Sequence, residues 1–416
     1  MKIYKILLIL FVVIIQNEAI SQNLTSSPYS VFGLGEIQSK GTGWNAAMGG
    51  TGIGLKSGLG LNNINPASYS GIDSLFFIYE IGVSGEFSSY STEYDNQSII
   101  TSNLSSFAIG FQAKKWWGVS LGLTPFSSVG YQISTTNNMD LDNTTYQNTY
   151  VGSGGINQLY MGNSFRLTDN ISLGVNLSYL FGTLDEDEEI AFDSDGIDYT
   201  ISNQNHVKGL YLDYGLQVDL PINKYTWTLG AVYGHKRYLS SSTDRTIYDN
   251  YNEVFLYEEE NEESNENYII PRKIGLGASL SNNESLVVAF DYTFNQWSEI
   301  EFANSDLKTK DSHRFSVGLE FSPEGRNSNK TLKSWYYRFG GYYNSSYLKI
   351  DNNSINSMAL SFGLGIPVKR NLSMFNIAFE IGKNGTLNNG LIQENFYSLN
   401  LNFSLQDIWF LKRKFD

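Results

Sequence analysis

The side chains that titrate nearest to neutrality are three histidines, His206, His235 and His313, and two serines, Ser312 and Ser316, flank the last of them. Hydrolysis would need a nucleophile, a base within hydrogen-bond reach and a group to orient that base. Nothing in the spacing marks either serine as activated, so the chain does not read as an enzyme. The run Asp185-Glu186-Asp187-Glu188-Glu189, and Glu258-Glu259-Glu260 with Glu262 and Glu263, offer carboxylate oxygens of the kind that hold Ca²⁺. Neither has the ligand spacing of a Ca²⁺ loop, and a solvated acidic face is the expected role. The chain has no cysteine, which excludes disulfides, thiolate metal sites and a lipidated cysteine after a signal. Its glycines precede strands rather than helices, so no phosphate-binding motif is read. No cofactor, metal or nucleic acid is expected.

A second set of ionisable residues shares the polar parity of alternating segments: Glu80, Asp213, Asp219, Lys273, Asp291, Arg314, Glu320, Arg338 and Glu380. Charges in such positions must be paired or hydrated. Glu320 and Arg338 fall at similar depth on neighbouring segments and are expected to pair, or to contact whatever fills the interior.

The elements that must position these residues alternate with period two. From residue 397 to 405, Tyr397, Leu399, Leu401, Phe403 and Leu405 hold one parity, while Ser398, Asn400, Asn402 and Ser404 hold the other, the mark of a strand with one apolar and one wet face. Fourteen such segments are read, near 75–90, 104–114, 117–134, 155–167, 170–184, 206–220, 225–239, 270–280, 284–296, 312–322, 334–346, 355–367, 371–383 and 394–406. Connections after even segments are short and built from turn formers, as in Thr168-Asp169-Asn170, Asn282-Asn283 and Lys369-Arg370-Asn371. The connection from 322 to 334 is the exception. Those after odd segments are longer, reaching about thirty residues between 239 and 270. A soluble sandwich has no reason to segregate loop length this way, whereas an outer-membrane barrel does, and an even strand count puts both termini at the periplasmic rim. The predicted fold is all-β, a 14-stranded antiparallel transmembrane β-barrel.

Composition agrees with that class. Only 17% of residues are charged, below the roughly 25% of soluble domains. Lys2 and Lys5, the apolar stretch 6–15 and Ala19-Ile20-Ser21 have the layout of a cleaved secretory signal over residues 1–21. Trp116, Trp117, Trp227, Trp335 and Trp409 fall beside the expected periplasmic turns or the C-terminus, as an interfacial belt does. Residues 184–206 and 239–270 together hold a net charge of -16, against -14 for the whole chain, which places the negative charge on two outer loops. Basic residues gather at the other rim: Lys114, Lys115, Arg166, Lys224, Lys330, Lys333, Lys369, Arg370, Lys412, Arg413 and Lys414. Anionic lipid headgroups or an acidic periplasmic protein are the partners such a rim suits. Loop aromatics Tyr146, Tyr150, Tyr248, Tyr251, Phe255 and Tyr257 are candidates to line an outer pocket, or to pack the loops together.

Residues 22–74 are rich in glycine, from Gly33 to Gly60, and a fourteen-stranded lumen is too wide for wall side chains to fill. These residues are therefore expected to form a plug ahead of a barrel spanning 75–416. Met48-Gly49-Gly50-Thr51-Gly52, followed by Asn62-Asn63-Ile64-Asn65-Pro66-Ala67, resembles the hatch of the FadL family of outer-membrane transporters of hydrophobic compounds. Ser27-Pro28-Tyr29-Ser30 and the terminal Trp409-Phe410-Leu411-Lys412-Arg413-Lys414-Phe415-Asp416 resemble the Bacteroidota branch of that group. The resemblance implies a hatch signature at Gly49, Gly50, Asn65, Pro66 and Ala67. Pro125 falls inside the third segment, where it removes a ladder hydrogen bond and implies a kink or gap in the wall. In the resembled family a kinked third strand opens a lateral path into the membrane, which carries that role to Pro125, Phe126 and Ser127; a simple bulge without transport is the alternative reading of Pro125. The lumen network is assigned to Glu80, Asp213, Asp219, Asp291, Arg314, Glu320, Arg338 and Glu380.

Two functions follow as expectations. One is passive uptake of hydrophobic compounds such as long-chain fatty acids, through an outer pocket and the lateral gap. The other is a non-transporting barrel subunit of a Bacteroidota secretion or outer-membrane protein assembly complex, with periplasmic or outer-membrane protein partners. The polar lumen parity counts against a long apolar tunnel.

Overall fold

The computed structural model describes residues 27–38, 41, 43–56, 58, 60–138, 145–192, 198–250, 254–260, 264–282, 285–300, 308–323, 331–350, 353–368 and 373–408. Outside them lie the expected signal at 1–21, Tyr251, Glu262, Glu263, Asn283, Lys330, Lys369, Arg370, Asn371 and the terminal Trp409 to Asp416. Fourteen antiparallel strands form the wall: β1 (Phe76–Ser91), β2 (Asn96–Lys114), β3 (Trp117–Ser128), β4 (Thr145–Arg166), β5 (Ile171–Phe192), β6 (Tyr199–Ile222), β7 (Tyr225–Gly234), β8 (Arg272–Ser281), β9 (Leu286–Gln296), β10 (Ser312–Phe321), β11 (Tyr336–Ile350), β12 (Asn353–Val368), β13 (Ser373–Gly385) and β14 (Gln393–Ile408). Each pairs with the next. The last pairs with the first, from Gln393 opposite Ser91 to Ile408 opposite Phe76. The ring is closed.

Alternation places the two faces. On β14, Tyr397 and Leu399 are exposed while Ser398, Asn402 and Ser404 are buried. Leu173, Leu177 and Tyr179 on β5, and Leu210 and Leu216 on β6, continue the exposed apolar band. No helix among the described residues is long and apolar enough to cross a membrane; the strands themselves are the spanning elements.

Strands on one side stand far taller than a bilayer. A spanning strand needs about 9–11 residues, whereas β4, β5 and β6 have 22, 22 and 24. Two stretches expected as acidic loops are consequently strands in large part. Residues 183–190 pair with 199–206, and Val254–Glu260 pairs with 244–249 of the strand Arg237–Asp249. The period-two signal vanishes there because both faces of a sheet above the membrane meet water, so nothing forces apolar and polar residues to alternate. The third segment is also divided, into β3 and a separate strand Tyr131–Asn138.

The residues before β1 run down the inside of the ring. Tyr29 donates to Ile392 O (2.6 Å) and Ser30 Oγ accepts from Gly130 N (3.0 Å), both at the outer end. The turn Ala46–Met48 packs against β10 to β13, and the turn Pro66–Gly71 against β3 to β6, on opposite sides of the lumen. Ser27 therefore lies at the outer mouth, beside Glu394, and not at the periplasmic rim. An even strand count fixes where the barrel strands begin and end; it does not fix the path of the fifty residues ahead of them.

Candidate functional site

The centre of the lumen is occupied by residues 44–55, held by inward-facing polar groups along one arc of the wall. Gly49 N donates to Ser361 Oγ (2.9 Å) and Arg314 Nη2 to Gly49 O (3.3 Å). Asp291 Oδ2 accepts from Gly52 N (2.6 Å) and Ile53 N (2.9 Å). Gln217 Nε2 reaches the carbonyls of Ile53 (3.1 Å) and Leu55 (3.0 Å), and Ser279 Oγ that of Gly54 (2.6 Å). These bonds come from β6, β8, β9, β10 and β12. Backbone groups that would be orphaned in a protein interior are thus satisfied by the wall.

Close approach explains the small residues. Gly49 and Gly50 have φ +66° and +73°, conformations costly to an L side chain. A Cβ on Gly49 would stand 2.6–2.9 Å from the backbone of Gly341, and a Cβ on Gly340 would overlap the Met48–Gly49 peptide.

Asn65 joins the two halves of the segment. Its Oδ1 accepts from Ala67 N (3.0 Å), capping the turn that Pro66 begins, while its Nδ2 donates to Ile53 O (2.8 Å) and Leu216 O (3.1 Å). Asn62 Nδ2 in turn holds Gly52 O (2.7 Å) and Leu55 O (2.9 Å).

The segment lies between two cavities. Ala46, Gly50 and Ile53 face an outer cavity of about 460 Å³, whose polar lining includes Glu36, Glu86, Glu380, Glu394 and Arg314. Trp44, Met48 and Leu55 face an inner cavity of about 370 Å³ that also touches Lys56, Asp219 and Glu320. The mouth above is packed by the chain itself: Leu34 with Phe126, Tyr131, Leu180 and Leu239 on one side, Tyr29 with Trp297, Tyr347 and Leu391 on the other.

The wall is uneven at one place. β2 and β3 pair from Lys114 opposite Trp117 up to Phe107 opposite Leu123, and no pairing between them continues among the described residues. Each strand has an irregularity there: β2 carries Ser105 as an extra residue against β1, and β3 carries Phe126 as an extra residue against β4, directly after Pro125. The upper part of β3 pairs instead with the segment, Glu36 opposite Ser128 and Ile37 opposite Ser127, extended by Gln38 N to Phe126 O (3.0 Å). Leu104 and Ile100 of β2 remain exposed beside Val83 and Phe87, so this stretch lies within the apolar band. Thr101, Asn103, Ser105 and Pro125 line the outer cavity, which reaches the wall here.

The BamG family model matches residues 3–416. The chain belongs to the BamG family. A comparison with curated proteins found no match. Among solved structures it is similar to the CymD monoaromatic hydrocarbon channel, at 13% identity and a TM-score of 0.60 over 89% of this chain and 99% of that one. It is similar to the P. putida toluene transporter TodX, at 15% identity and 0.58 over 90% and 100%. A Pseudomonas aeruginosa FadL homologue follows at 10% and 0.57 over 91% and 100%. At such identities the likeness is one of fold: this BamG-family chain has the barrel of the FadL and TodX channels, which are not enzymes.

Within that barrel the ionisable residues singled out from the sequence separate into two groups. Asp291, Arg314, Glu80 and Asp219 hold the N-terminal segment; Glu80 Oε1 accepts from Leu61 N (2.8 Å) and Asp219 pairs with Lys56 (2.7 Å). The others bond within the wall. Arg338 is bound to Glu320 (2.6 Å) and Asn376 (2.6 Å), Glu380 accepts from Tyr342 (3.2 Å), and Asp213 accepts from Asn176 (3.3 Å). Residues missed from the sequence are the uncharged partners Gln217, Ser279, Ser361 and Asn376, and Lys56 on the segment. All four wall residues sit at inward parity, a signal present but shared with dozens of serines and asparagines.

The remaining chemistry is dispersed. His313 bonds Tyr292 (2.9 Å) on the outward face, whereas Ser312 and Ser316 are buried on the inward one. His206 pairs with exposed Asp244 (3.2 Å), and His235 stacks on Tyr211. Among the described residues no group of acids and histidines is arranged to hold a metal ion. Of the aromatics expected at an outer pocket, Tyr146, Tyr150, Tyr248, Phe255 and Tyr257 do not line the outer cavity; Phe255 and Tyr257 are exposed on a strand.

Proposed function

We propose that this protein is a plugged outer-membrane barrel that serves as a structural subunit of a secretion or outer-membrane protein assembly complex of the Bacteroidota type. In this reading residues 1–21 are a cleaved signal, residues 22–74 are the plug and residues 75–416 are the barrel. The observation that carries it is the state of the lumen. Residues 44–55 lie between two cavities, and the outer one carries Glu36, Glu86, Glu380 and Glu394 with Lys273 and Arg314 among apolar residues such as Ile37, Phe126 and Leu348. Sites for apolar ligands are lined mainly by apolar side chains with few polar groups, and four carboxylates beside a cargo path would have to be neutralised or desolvated. The apolar positions at the mouth are meanwhile filled by the chain's own Tyr29 and Leu34. The exposed basic rim at Lys114, Lys115 and Lys224 suits lipid headgroups or an acidic periplasmic partner.

The test is purification of the tagged protein in gentle detergent, with mass spectrometry of co-purifying proteins and lipids. Stoichiometric protein partners without bound fatty acid are expected. A solitary barrel loaded with fatty acid would overturn the reading.

A second reading is favoured by one observation, the end of pairing between β2 and β3 beside Pro125. There the protein is a passive channel for hydrophobic compounds such as long-chain fatty acids, which enter the outer cavity and leave through the wall at Pro125, Phe126 and Ser127. Uptake of a labelled fatty acid that depends on this protein in intact cells would support it.

A further inference from the structure

Above the apolar band, one continuous sheet runs through Tyr131–Asn138, the outer parts of β4, β5 and β6, then Arg237–Asp249, which pairs with Val254–Glu260 along its upper part and Ser264–Ile270 along its lower part. Its two edges differ in kind. Tyr131–Asn138 ends the sheet with a polar row that includes Gln132, Ser134, Thr135 and Thr136, the usual protection of a free edge. At the other edge Phe255, Leu256 and Tyr257 are 71%, 59% and 49% exposed. Among the described residues Val254–Glu260 pairs only with Arg237–Asp249. Scattered surface apolar residues need no explanation, but three in succession on a strand with an unpaired row of N–H and C=O groups are a template for one more strand. Leu256 is an extra residue between Phe255 opposite Tyr248 and Tyr257 opposite Ile247, and regular pairing resumes to Glu260 opposite Asp244. The bulge sharpens the local twist, and together with the exposed Glu258 and Glu259 it discourages indiscriminate pairing, so the edge suits a strand of opposite charge.

Charge chooses the occupant. One cross-strand row holds Asp187, Ser202, Thr246 and Glu258, and the next holds Asp185, Gln204 and Asp244. Four carboxylates, Asp185, Asp187, Asp244 and Glu258, thus share this face, with His206 beside Asp244. A second copy of this chain would bring a second acidic sheet, and an anionic lipid surface would be repelled in the same way. An extended segment that alternates apolar residues with lysine or arginine satisfies both features at once.

We propose that Val254–Glu260 is a docking edge outside the membrane that takes a basic, apolar β-strand from a partner protein. The proposal rests on the reading that the protein works in a complex, and it names the chemistry of one partner.

Purified full-length protein in detergent is titrated into a fluorescent peptide of alternating valine and lysine, and binding is followed by anisotropy. The control peptide has the same charge but is interrupted by prolines, which cannot add to a sheet. Main-chain pairing of several residues predicts about tenfold or greater weakening for the interrupted peptide, and the same loss for Leu256→Pro. Ile133→Pro, on the polar edge, should leave affinity within about twofold. Equal binding of the two peptides would reduce the interaction to charge alone and overturn the proposal. Should Leu256→Pro fail to fold, judged by heat-modifiable migration, the double variant Phe255→Ser with Tyr257→Ser reads the same edge through its side chains, and unchanged affinity there overturns it too. The two readings fail separately. A Leu256→Pro protein that keeps its co-purifying partners but was never distinguished by the peptide removes the edge and leaves the complex. A wild-type protein that binds the peptide and co-purifies nothing supports the edge and removes the complex.

Discussion

The wall at β10 to β13 and the wall at β2 and β3 solve the same closure problem in opposite ways. At β10 to β13 every ladder is paired through the depth of the apolar band, and the inward groups Arg314 and Ser361 reach out to fasten residues 44–55. Strand pairing and lumen filling reinforce each other there. At β2 and β3 the ladder stops at Phe107 and Leu123, each strand carries an extra residue, and the chain's own Glu36–Ile37 supplies the missing partner for β3. One side is locked by side chains aimed inward, the other closed by a two-residue strand that belongs to the segment. Closure at the upper part of β2 and β3 is therefore the weaker of the two, because few hydrogen bonds hold it.

The largest expected effect strikes the locked side. Arg338 is 2% exposed and satisfies Glu320 and Asn376 together. Arg338→Met should destabilise the barrel by about 3–5 kcal/mol, because it leaves a partly buried carboxylate without its cation. Arg338→Met combined with Glu320→Gln should recover much of that loss. The midpoint of heat-modifiable migration on gels measures both. Equal destabilisation in the single and double variants would mean that packing, not the ion pair, locks this side.

A second substitution separates wall from filling. Gly340→Val drives a side chain into the Met48–Gly49 peptide, where backbone cannot move aside cheaply, and should cost about 1–3 kcal/mol. Its specific signature is release of residues 44–55, seen as ion conductance in planar bilayers and as new protease cleavage near Met48. Gly85→Val is the matched control on the open side, since a Cβ there meets nothing nearer than Thr101 O at 3.8 Å. Conductance from both variants, or from neither, would show that residues 44–55 are not what divides the lumen.

Strand number and order were legible because each spanning strand faces lipid on one side and a polar lumen on the other, which writes period two into the residues themselves. β14 is the clearest case, and even the exceptional connection at 322–334 falls between two wall strands, β10 and β11. Above the membrane that constraint lapses, so residues 185–190 read as a loop though they pair on both sides. Pro125 marked where the β2 and β3 ladder ends because a missing donor is a property of the residue alone. The extra residue at Ser105 was not legible, since any small residue can bulge, whereas a bulge beside Pro125 was one of the two readings that proline allowed. A plug was expected from residues 22–74, but its start at the outer mouth was not, because that depends on contacts hundreds of positions away, such as Tyr29 with Ile392.

The smallest effect on stability is expected at Pro125, and it is the one that bears most directly on the open side. Pro125→Val restores a single N–H to β3, worth about 0.5–1.5 kcal/mol if it finds an acceptor. The extra residues at Ser105 and Phe126 remain, so one donor cannot restore the whole ladder, and the migration midpoint should shift little. Function divides where stability does not. If β2 and β3 form a lateral exit, stiffening the strand at Pro125 should slow uptake of a labelled fatty acid in intact cells while the amount of folded barrel stays constant. Unchanged uptake would sink the exit, and the gap would then be a seam that the strand Glu36–Ile37 fills for structural reasons alone. Introducing Ile37→Cys with Ser127→Cys tests that seam independently, because these residues face each other in register and the native chain has no cysteine to interfere. A disulfide that forms readily and leaves every activity intact would make the closed seam, rather than an opening, the working state of the protein.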